Sequence, residues 1–270
     1  MVEFSSKYKI RQTNFGYVNW LGAYTLWKKE VLRFFTVWIQ TVFSPLITSL
    51  LFLLVLSLAI GNERGEVLGV PFINFLAPGL ISMSVIQQSF SHSSSSIIIG
   101  KMQMTIVDIL YAPLTAAEIT LAIIFASCTR SIVIATVSIL AFYFIIDLNF
   151  YNPFYIFIFA FLGSFMLGAI GIIVGLWAEK FDHMASATNF IIIPLSFLSG
   201  TFYSIERLPG FLREISEYNP FFYIIDGFRY GFLGAADGSI QFGLFYLLIL
   251  SFITWFAAYM LFKKGYKIKS

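Results

Sequence analysis

The most constraining feature of the sequence is an apolar run that extends from Trp38 to Phe262 with few interruptions. About 30 Å of hydrocarbon requires roughly 20 apolar residues of helix to cross it, and the run divides into six pieces of about that length. The six pieces are residues 38–60, 72–99, 116–146, 154–177, 185–202 and 242–262. The chain is therefore predicted to be an all-α, polytopic membrane protein with six transmembrane helices.

The composition leaves little room beside these spans. Of 270 residues, 59% are hydrophobic and 11% are charged. We therefore expect only a cytoplasmic tail with an interfacial helix in residues 1–37, a membrane domain in residues 38–262 and a basic tail in residues 263–270. One cysteine and two histidines cannot supply a structural zinc set. The basic residues form no folded patch for nucleic acid.

The positions of lysine and arginine predict the orientation, because basic residues near span ends are retained in the cytoplasm. Ten such residues flank the first and last spans: Lys7, Lys9, Arg11, Lys28, Lys29, Arg33, Lys263, Lys264, Lys267 and Lys269. Both termini are therefore expected to be cytoplasmic, which requires an even number of crossings and also places Lys101 and Lys180 inside. We expect no cleavable signal peptide, because the stretch before the first span is polar and then amphipathic.

The segment before the first span is predicted to be an amphipathic helix that lies flat at the inner interface. Large apolar residues recur at helical spacing on one side: Trp20, Tyr24, Trp27, Val31 and Phe34. Gly22, Lys29 and Arg33 fall on the other side. A simple anchor at the membrane surface and a dedicated mechanical element both fit this pattern.

Residues 100–113, between the second and third spans, are predicted to contain a short cytoplasmic helix. Ile106, Ile109 and Leu110 would share one face, Asp108 would point elsewhere, and Pro113 would end the helix. Such a helix is either a docking element for a cytoplasmic partner or a turn that lies against the membrane.

Residues 204–240 are too apolar for an open loop, yet Pro209, Asn219, Pro220 and Gly227 divide them into pieces too short to span. Asn219 is expected to cap a helix in which Pro220 takes the first position.

Two half-helices, residues 208–218 and 221–232, fit this segment best. They are expected to enter the outer leaflet and border a path, because irregular backbone at membrane depth must be covered by protein or by water. A folded external loop without a transport role is the alternative.

Glu118 and Arg130 both lie in the third span, twelve positions apart and hence roughly 18 Å along the helix, which is too far for direct pairing. Glu118 is expected to reach the interface. Arg130 is deep enough to cost on the order of 3 kcal/mol unless it is paired or hydrated. It is therefore either a functional residue or one that pairs with carbonyls or a carboxylate on another span.

Small residues recur in two further places. Ser164, Gly168, Gly171 and Gly175 share one face of the fourth span, where helix backbones can approach closely, and packing within the chain is the usual role of such a stripe. Serines at position 91 and at positions 93–96 of the second span are expected to bond to their own helix backbone.

These elements, taken in order, resemble the permease subunit of ABC-2 type transporters along nearly the whole chain. The flat amino-terminal helix is similar to the family's connecting helix, and residues 105–113, ending in Ala-Pro, resemble its coupling helix, although relatives commonly carry more charge there. The most specific stretch, residues 219–234, begins Asn-Pro-Phe-Phe-Tyr and is similar to the family's carboxy-terminal signature. Arg130 matches an arginine often found in the third helix of the family.

The resemblance implies the permease of an exporter, working as a homodimer or a heterodimer on two copies of a cytoplasmic ABC ATPase subunit. No loop of the form Gly-x-x-x-x-Gly-Lys-Ser/Thr occurs in the sequence, so ATP and Mg²⁺ would be held by that partner, with no cofactor on this chain. The cargo would be an amphipathic, glycan, lipid or drug-like substrate moved out across the cytoplasmic (inner) membrane, in contact with membrane lipids.

The resemblance also assigns roles to residues. Those of the coupling region are Lys101, Thr105, Ile106, Asp108, Ile109, Leu110 and Pro113. Those of the exit region are Pro209, Asn219, Pro220, Phe221, Gly227 and Arg229.

Two other classes of protein remain open. An ATP-independent secondary transporter or channel would need ionisable groups near mid-membrane for ion coupling, where only Arg130 qualifies well. A membrane-embedded enzyme would need an acid, a base or a nucleophile in a constellation that the sequence does not show.

Overall fold

The fold is built almost entirely of helices. A computed structural model describes residues 17–268, except for the side chains of residues 60–64. In chain order the elements are α1 (Trp20–Thr36), a π-helical segment (Ile39–Phe43) continuous with α2 (Ser44–Arg64), β1 (Glu66–Val67), β2 (Val70–Pro71), α3 (Phe72–Met102), α4 (Ile106–Tyr111), α5 (Ala116–Tyr143), α6 (Pro153–Trp177), α7 (Phe181–Ala187), a second π-helical segment (Thr188–Ile192), α8 (Ile193–Leu198), a 3₁₀ turn (Ile205–Arg207), α9 (Gly210–Tyr218), α10 (Pro220–Leu233) and α11 (Ile240–Lys263). The all-α class is confirmed. Lys7, Lys9, Arg11 and Lys269 lie outside the described residues, as does the rest of the stretch 1–16.

Four helices in the described part of the chain are long and apolar enough to cross a membrane. They are α5, α6, α11 and the helix that the first π segment forms with α2. α3 has 31 residues, but its serines and its two central glutamines make it more polar than these four. The fifth predicted span is helical over residues 181–198 rather than 185–202, and a π segment interrupts it. Length and composition alone therefore identify four spans rather than six.

α6 lies at the centre of the bundle because its small residues let α3 and α5 approach. A Cβ atom added at Gly171 would lie 2.7 Å from the carbonyl oxygen of Phe90 in α3. One added at Gly168 would lie 2.4 Å from Ser127 Oγ in α5. The predicted small-residue stripe therefore packs within the chain. Opposite it, the Ser94 hydroxyl of α3 donates to the carbonyl of Phe90, as expected for a serine inside a helix.

The first and last long helices are peripheral. In the apolar windows of α2 and α11 only 22% and 17% of the residues are buried, whereas 67% are buried in α6. The exposed side chains are mainly leucine, isoleucine and phenylalanine. These surfaces therefore suit lipid or a second membrane subunit rather than water.

The bundle has two distinct ends. At one, named the α4 end, Lys267 near the carboxy terminus donates to Glu179 after α6 at 2.9 Å. This hydrogen bond lowers the pKa of the Glu179 carboxyl and raises that of Lys267. At the other, named the hairpin end, Asn74 at the start of α3 donates to the carbonyl of Asp147 after α5.

Two boundaries differ from the predictions. The loop expected over residues 61–69 is shorter, because α2 continues to Arg64 and β1 and β2 then form an antiparallel hairpin. Leu68 and Gly69 form its two-residue turn with positive φ angles of 53° and 75°, which match the twist of paired strands. The third span ends at Tyr143 rather than at residue 146.

Candidate functional site

α4 forms a short helix at the α4 end, as predicted for residues 100–113. The three residues of its expected apolar face differ in burial: Ile106 is buried and Ile109 is half-buried, whereas Leu110 is exposed. Asp108 is exposed, as are Val107 and Tyr111. α4 therefore turns one side into the bundle and presents a mixed apolar and acidic surface outward.

A groove separates α4 from α1. Its volume is about 610 Å³, and its walls include Gly22, Leu26 and Lys29 of α1 and Asp108 and Ile109 of α4. Thr105, half-buried just before α4, also borders the groove.

One end of this groove is braced by hydrogen bonds. Asn19 Nδ2 donates to the carbonyl of Pro113 at 2.9 Å, and the backbone amide of Asn19 donates to Glu118 Oε1. Glu118 is buried and also accepts from the backbone amide and the hydroxyl of Thr115 in a capping box. Glu118 thus lies in the first turn of α5, and its carboxylate holds the start of α1 against the start of α5. Its position at the membrane interface stays a prediction.

Lys101 caps a neighbouring helix. Its ammonium group donates to the carbonyls of Leu176 at 2.9 Å and Ala178 at 2.7 Å, at the end of α6. A cation at this position satisfies carbonyls that have no partner within the helix and complements the helix dipole.

Replacing Lys101 with methionine is expected to lower stability by about 1–2 kcal/mol, because two charge-assisted hydrogen bonds are lost. Thermal unfolding in detergent would measure the change, with the exposed Lys180→Met as control. A stable Lys101→Met protein that fails to bind its ATPase would contradict the capping role and favour a docking role.

α1 packs on α5, and its residues do not separate into one apolar face and one polar face as predicted. Val31 and Phe34 are buried, whereas Trp20 and Tyr24 of the same predicted face are exposed. Trp27 Nε1 donates to Thr129 Oγ1 of α5 at 3.2 Å. The prediction that Arg33 lies on the opposite, polar face is wrong, because its guanidinium points toward α3.

A buried ionic cluster joins α1 to α3. Arg33 donates through Nε to Glu30 Oε2 at 2.9 Å and through Nη2 to the carbonyl of His92 at 3.1 Å. Glu30 is only 2% exposed. Sequence reasoning missed Glu30 and His92 as partners. For Glu30 the available signal was its position three residues before Arg33 on the same helix, a spacing at which an acid and a base can pair.

Arg130 contacts α3 close to this cluster. Its Nη2 donates to Gln88 Oε1, and the side chain is 8% exposed. The pairing is to the side-chain carbonyl oxygen of a glutamine on another helix, in line with the second of the two alternatives for Arg130, and not to a carboxylate. Gln88 was not singled out in the sequence.

The chain bends between α9 and α10 as predicted. Asn219 Oδ1 accepts from the backbone amide of Phe221, and Pro220 occupies the first helical position. Asn219 Nδ2 also donates to Ser199 Oγ at 2.7 Å, which ties the bend to the end of α8. Phe221 is buried, and Pro209 is the exposed residue just before α9.

α10 then packs along α6 through small residues. A Cβ atom at Gly227 would lie 2.3 Å from the ring of Phe159, and one at Gly163 would lie 2.6 Å from Ile224. Gly163 lies ten residues beyond the start of α6 at Pro153, so this contact is roughly 15 Å from that end of the helix.

Arg229 is fully buried at the centre of the hairpin end. Its Nη2 donates to the carbonyl of Gly200 at 2.6 Å, and its guanidinium carbon lies 3.9 Å from the centre of the Phe75 ring. It thereby joins α10 to α3 and to the chain that follows α8.

Two carboxylates complete this region and were not singled out from the sequence. Asp226 accepts from the backbone amides of Asp237 and Gly238, each at 2.9 Å. Asp237 accepts from Ser204 Oγ at 2.6 Å and from the amide of Ile205. The segments before α9 and after α10 are therefore fastened to each other.

Comparison with known proteins bears on what this arrangement does. Residues 22–233 match the family model described as ABC-2 type transporter. The chain is 31% identical over 240 residues to Inner membrane transport permease YadH of Escherichia coli (strain K12), covering 87% of this chain and 94% of that protein. It is 25% identical over 236 residues to Nodulation protein J of Rhizobium leguminosarum bv. viciae, covering 83% and 86%. The family match includes α4, Arg130 and α10.

Proposed function

Because the chain belongs to the ABC-2 type transporter family, we propose that it is the permease of an exporter driven by two cytoplasmic ABC ATPase subunits. ATP and Mg²⁺ reside on those subunits, and a second permease, in a homodimer, completes the complex. The cargo is an amphipathic glycan, lipid or drug-like molecule that leaves across the inner membrane.

The observation that carries this proposal is the surface of α4. Val107, Asp108, Leu110 and Tyr111 are exposed at the end of the bundle, while Ile106 anchors the same helix inside it. A partner that pushes on this surface displaces the ends of α3 and α5 to which α4 is joined. The α1–α4 groove lies beside it, so both elements are available to one docking partner.

We also propose six crossings, with both termini cytoplasmic. α3 runs from the hairpin end to the α4 end, and its 31 residues correspond to about 46 Å, more than the hydrocarbon thickness. The interrupted helix of residues 181–198 runs the opposite way, from the segment beside Lys267 to the bend at Asn219. The basic residues Lys263, Lys264 and Lys267 share the α4 end with Lys101, which supports a cytoplasmic position for that end.

The two half-helices α9 and α10 shape the exit in this proposal. The contact between Ile224 and Gly163, roughly 15 Å from the end of α6, supports an entry of α10 into the outer leaflet. Arg229, Asp226 and Asp237 bond to backbone groups of the segments before α9 and after α10. This irregular backbone therefore has partners, as structure at membrane depth requires.

The experiment that tests the function is purification of the chain from its own host in mild detergent. We expect an ABC ATPase subunit to copurify in equal amount, and the reconstituted complex to hydrolyse ATP. Transport by the chain alone in liposomes, without ATP, would instead establish a secondary transporter or channel.

Replacing Asp108 and Leu110 together with lysine is expected to reduce the copurifying ATPase at least tenfold. One change reverses a charge that a docking partner would face, and the other puts an ammonium group where an apolar contact would form. Both side chains are exposed, so the packing of Ile106 and Ile109 is retained. The matched control is Phe211→Lys, an exposed apolar residue of a short helix at the other end. Unchanged copurification would show that α4 is not the docking element.

A further inference from the structure

A polar cavity lies between α2 and α3, and it shares no lining residue with the α1–α4 groove. Its volume is about 160 Å³, and six polar residues contribute to its wall: Ser44, Thr48, Ser49, Ser84, Gln87 and Gln88. Gln87 is the central residue of α3, fifteen positions from either end of the helix. Polar groups at such depth are costly and call for a reason.

Ordinary backbone bonding accounts for several of the hydroxyls. Thr48 Oγ1 donates to the carbonyl of Ser44 and Ser84 Oγ donates to that of Leu80, while Ser49 and Ser84 hydrogen-bond to each other at 2.9 Å. Backbone bonding of this kind does not account for the glutamines. Both glutamines are half-buried, and within the described part of the chain no hydrogen bond joins the Gln87 amide or Gln88 Nε2 to another group.

Arg130 fixes which end of the Gln88 amide remains available. A guanidinium only donates hydrogen bonds, so the group it contacts must be Oε1, as it is here. The two donors of the Gln88 Nε2 group are therefore left for another acceptor. Arg130 acts here as a positioning residue, since it orients Gln88 and does not line the cavity itself.

The cavity wall contains no ionised side chain. An ionised group brought into it would lose its hydration and meet no counter-charge in the wall, which is unfavourable. Hydroxyl and amide groups would find donors and acceptors in the glutamines and serines. Phe52, Leu80 and Met83 complete the wall and offer apolar contacts to the carbon face of a ring.

We propose that this cavity binds an uncharged, hydroxyl-bearing group of the cargo, such as a sugar ring, with Gln87 and Gln88 as its hydrogen-bonding ligands. The inference rests on the proposed export function. It restricts the proposed cargo to molecules that carry such an uncharged, hydroxyl-bearing group. α2 lies at the periphery of the bundle, so the uncharged group would enter the cavity from the outside of the bundle, next to α2.

Photolabelling of the full chain in nanodiscs tests this site. The probe is an alkyl glucoside with a diazirine beside the sugar, compared with the alkyl phosphate and alkyl trimethylammonium probes of the same chain length. We expect the glucoside to label residues 44–52 and 80–88, and the two charged probes to label them about tenfold less.

Gln87→Leu and Gln88→Leu are each expected to weaken glucoside labelling about tenfold, as the loss of one or two hydrogen bonds predicts. The exposed Gln241→Leu is the matched control and should label like the parent chain. Equal labelling by all three probes would show simple partition of alkyl chains, and normal glucoside labelling in both variants would remove the glutamines from the site. Either result overturns the proposal.

The role of Arg130 is tested by comparing how strongly each probe labels the cavity, rather than by measuring the stability of a variant. Arg130→Met should reduce the preference for glucoside over alkyl trimethylammonium, because it releases Gln88 and removes a cation that repels the trimethylammonium group. Arg130→Lys, which retains a donor and the charge, should restore part of this preference. An unchanged preference in Arg130→Met would limit Arg130 to a structural role. Labelling requires no nucleotide, so a failed site with intact ATPase association remains distinct from a failure of the proposed function.

Discussion

Replacement of Arg229 with alanine is expected to destabilise the protein by about 3–5 kcal/mol, because the change combines a cavity with the loss of a buried charged partner. The Gly200 carbonyl would lose its donor, and Phe75 would lose the guanidinium that covers its ring. For a chain of this size the loss corresponds to a fall in melting temperature of roughly 10 °C. Thermal unfolding of the purified protein in detergent is the measurement.

Arg213→Ala serves as the control, since this arginine forms an exposed ion pair with Glu217 that is worth less than about 1 kcal/mol. Arg229→Met separates the two parts of the effect, because methionine fills much of the volume without donating to Gly200. An Arg229→Ala protein as stable as Arg213→Ala would show that the buried guanidinium is not needed to hold α10 against α3.

Arg229 supports the packing of α10 rather than contacting cargo. The residue was expected in the exit region, yet its contacts are to the protein's own backbone and to an aromatic ring. Loss of transport in an Arg229 variant would therefore follow from the loss of packing between α10, α3 and the chain after α8. Contact with cargo has to be argued from residues that line a cavity, such as Gln87.

The bend between α9 and α10 could be predicted because its signals are local. An asparagine that accepts from the amide two residues later, followed by proline, specifies a helix start within three positions of sequence. The observed helices, Gly210–Tyr218 and Pro220–Leu233, lie within two residues of the predicted half-helices. The short helix α4, delimited by Pro113, was predictable for the same reason.

Partners of charged groups on other helices could not be predicted, because they are brought together only by packing. Arg33 was assigned to a polar surface from its position around α1, and its actual contacts are 59 residues away at His92 and three residues away at Glu30. Lys101 contacts carbonyls 75 and 77 positions later. A helical pattern gives the face on which a residue lies, but the neighbour that meets this face depends on packing.

Gly227→Ala is expected to destabilise the protein by about 1–3 kcal/mol or more through overpacking. In an exposed helix the same change would stabilise by about 1 kcal/mol, because alanine has the higher helix propensity. Here a new Cβ atom would lie within 2.3–2.5 Å of three ring atoms of Phe159, which is itself fully buried. The steric cost exceeds the gain in helix propensity, so Gly227→Ala destabilises the protein instead of stabilising it. The melting temperature of the purified variant measures the effect.

A second-site change identifies the cause of this destabilisation. Phe159→Leu removes the ring atoms that the new methyl group would meet, so Gly227→Ala should cost less in the Phe159→Leu background than in the parent chain. Gly210→Ala is the matched control, because no atom lies within 4 Å of a Cβ at that position. Equal costs of Gly227→Ala in both backgrounds would place the strain elsewhere. A reduced cost would show that the approach of α10 to α6 depends on the absence of one methyl group.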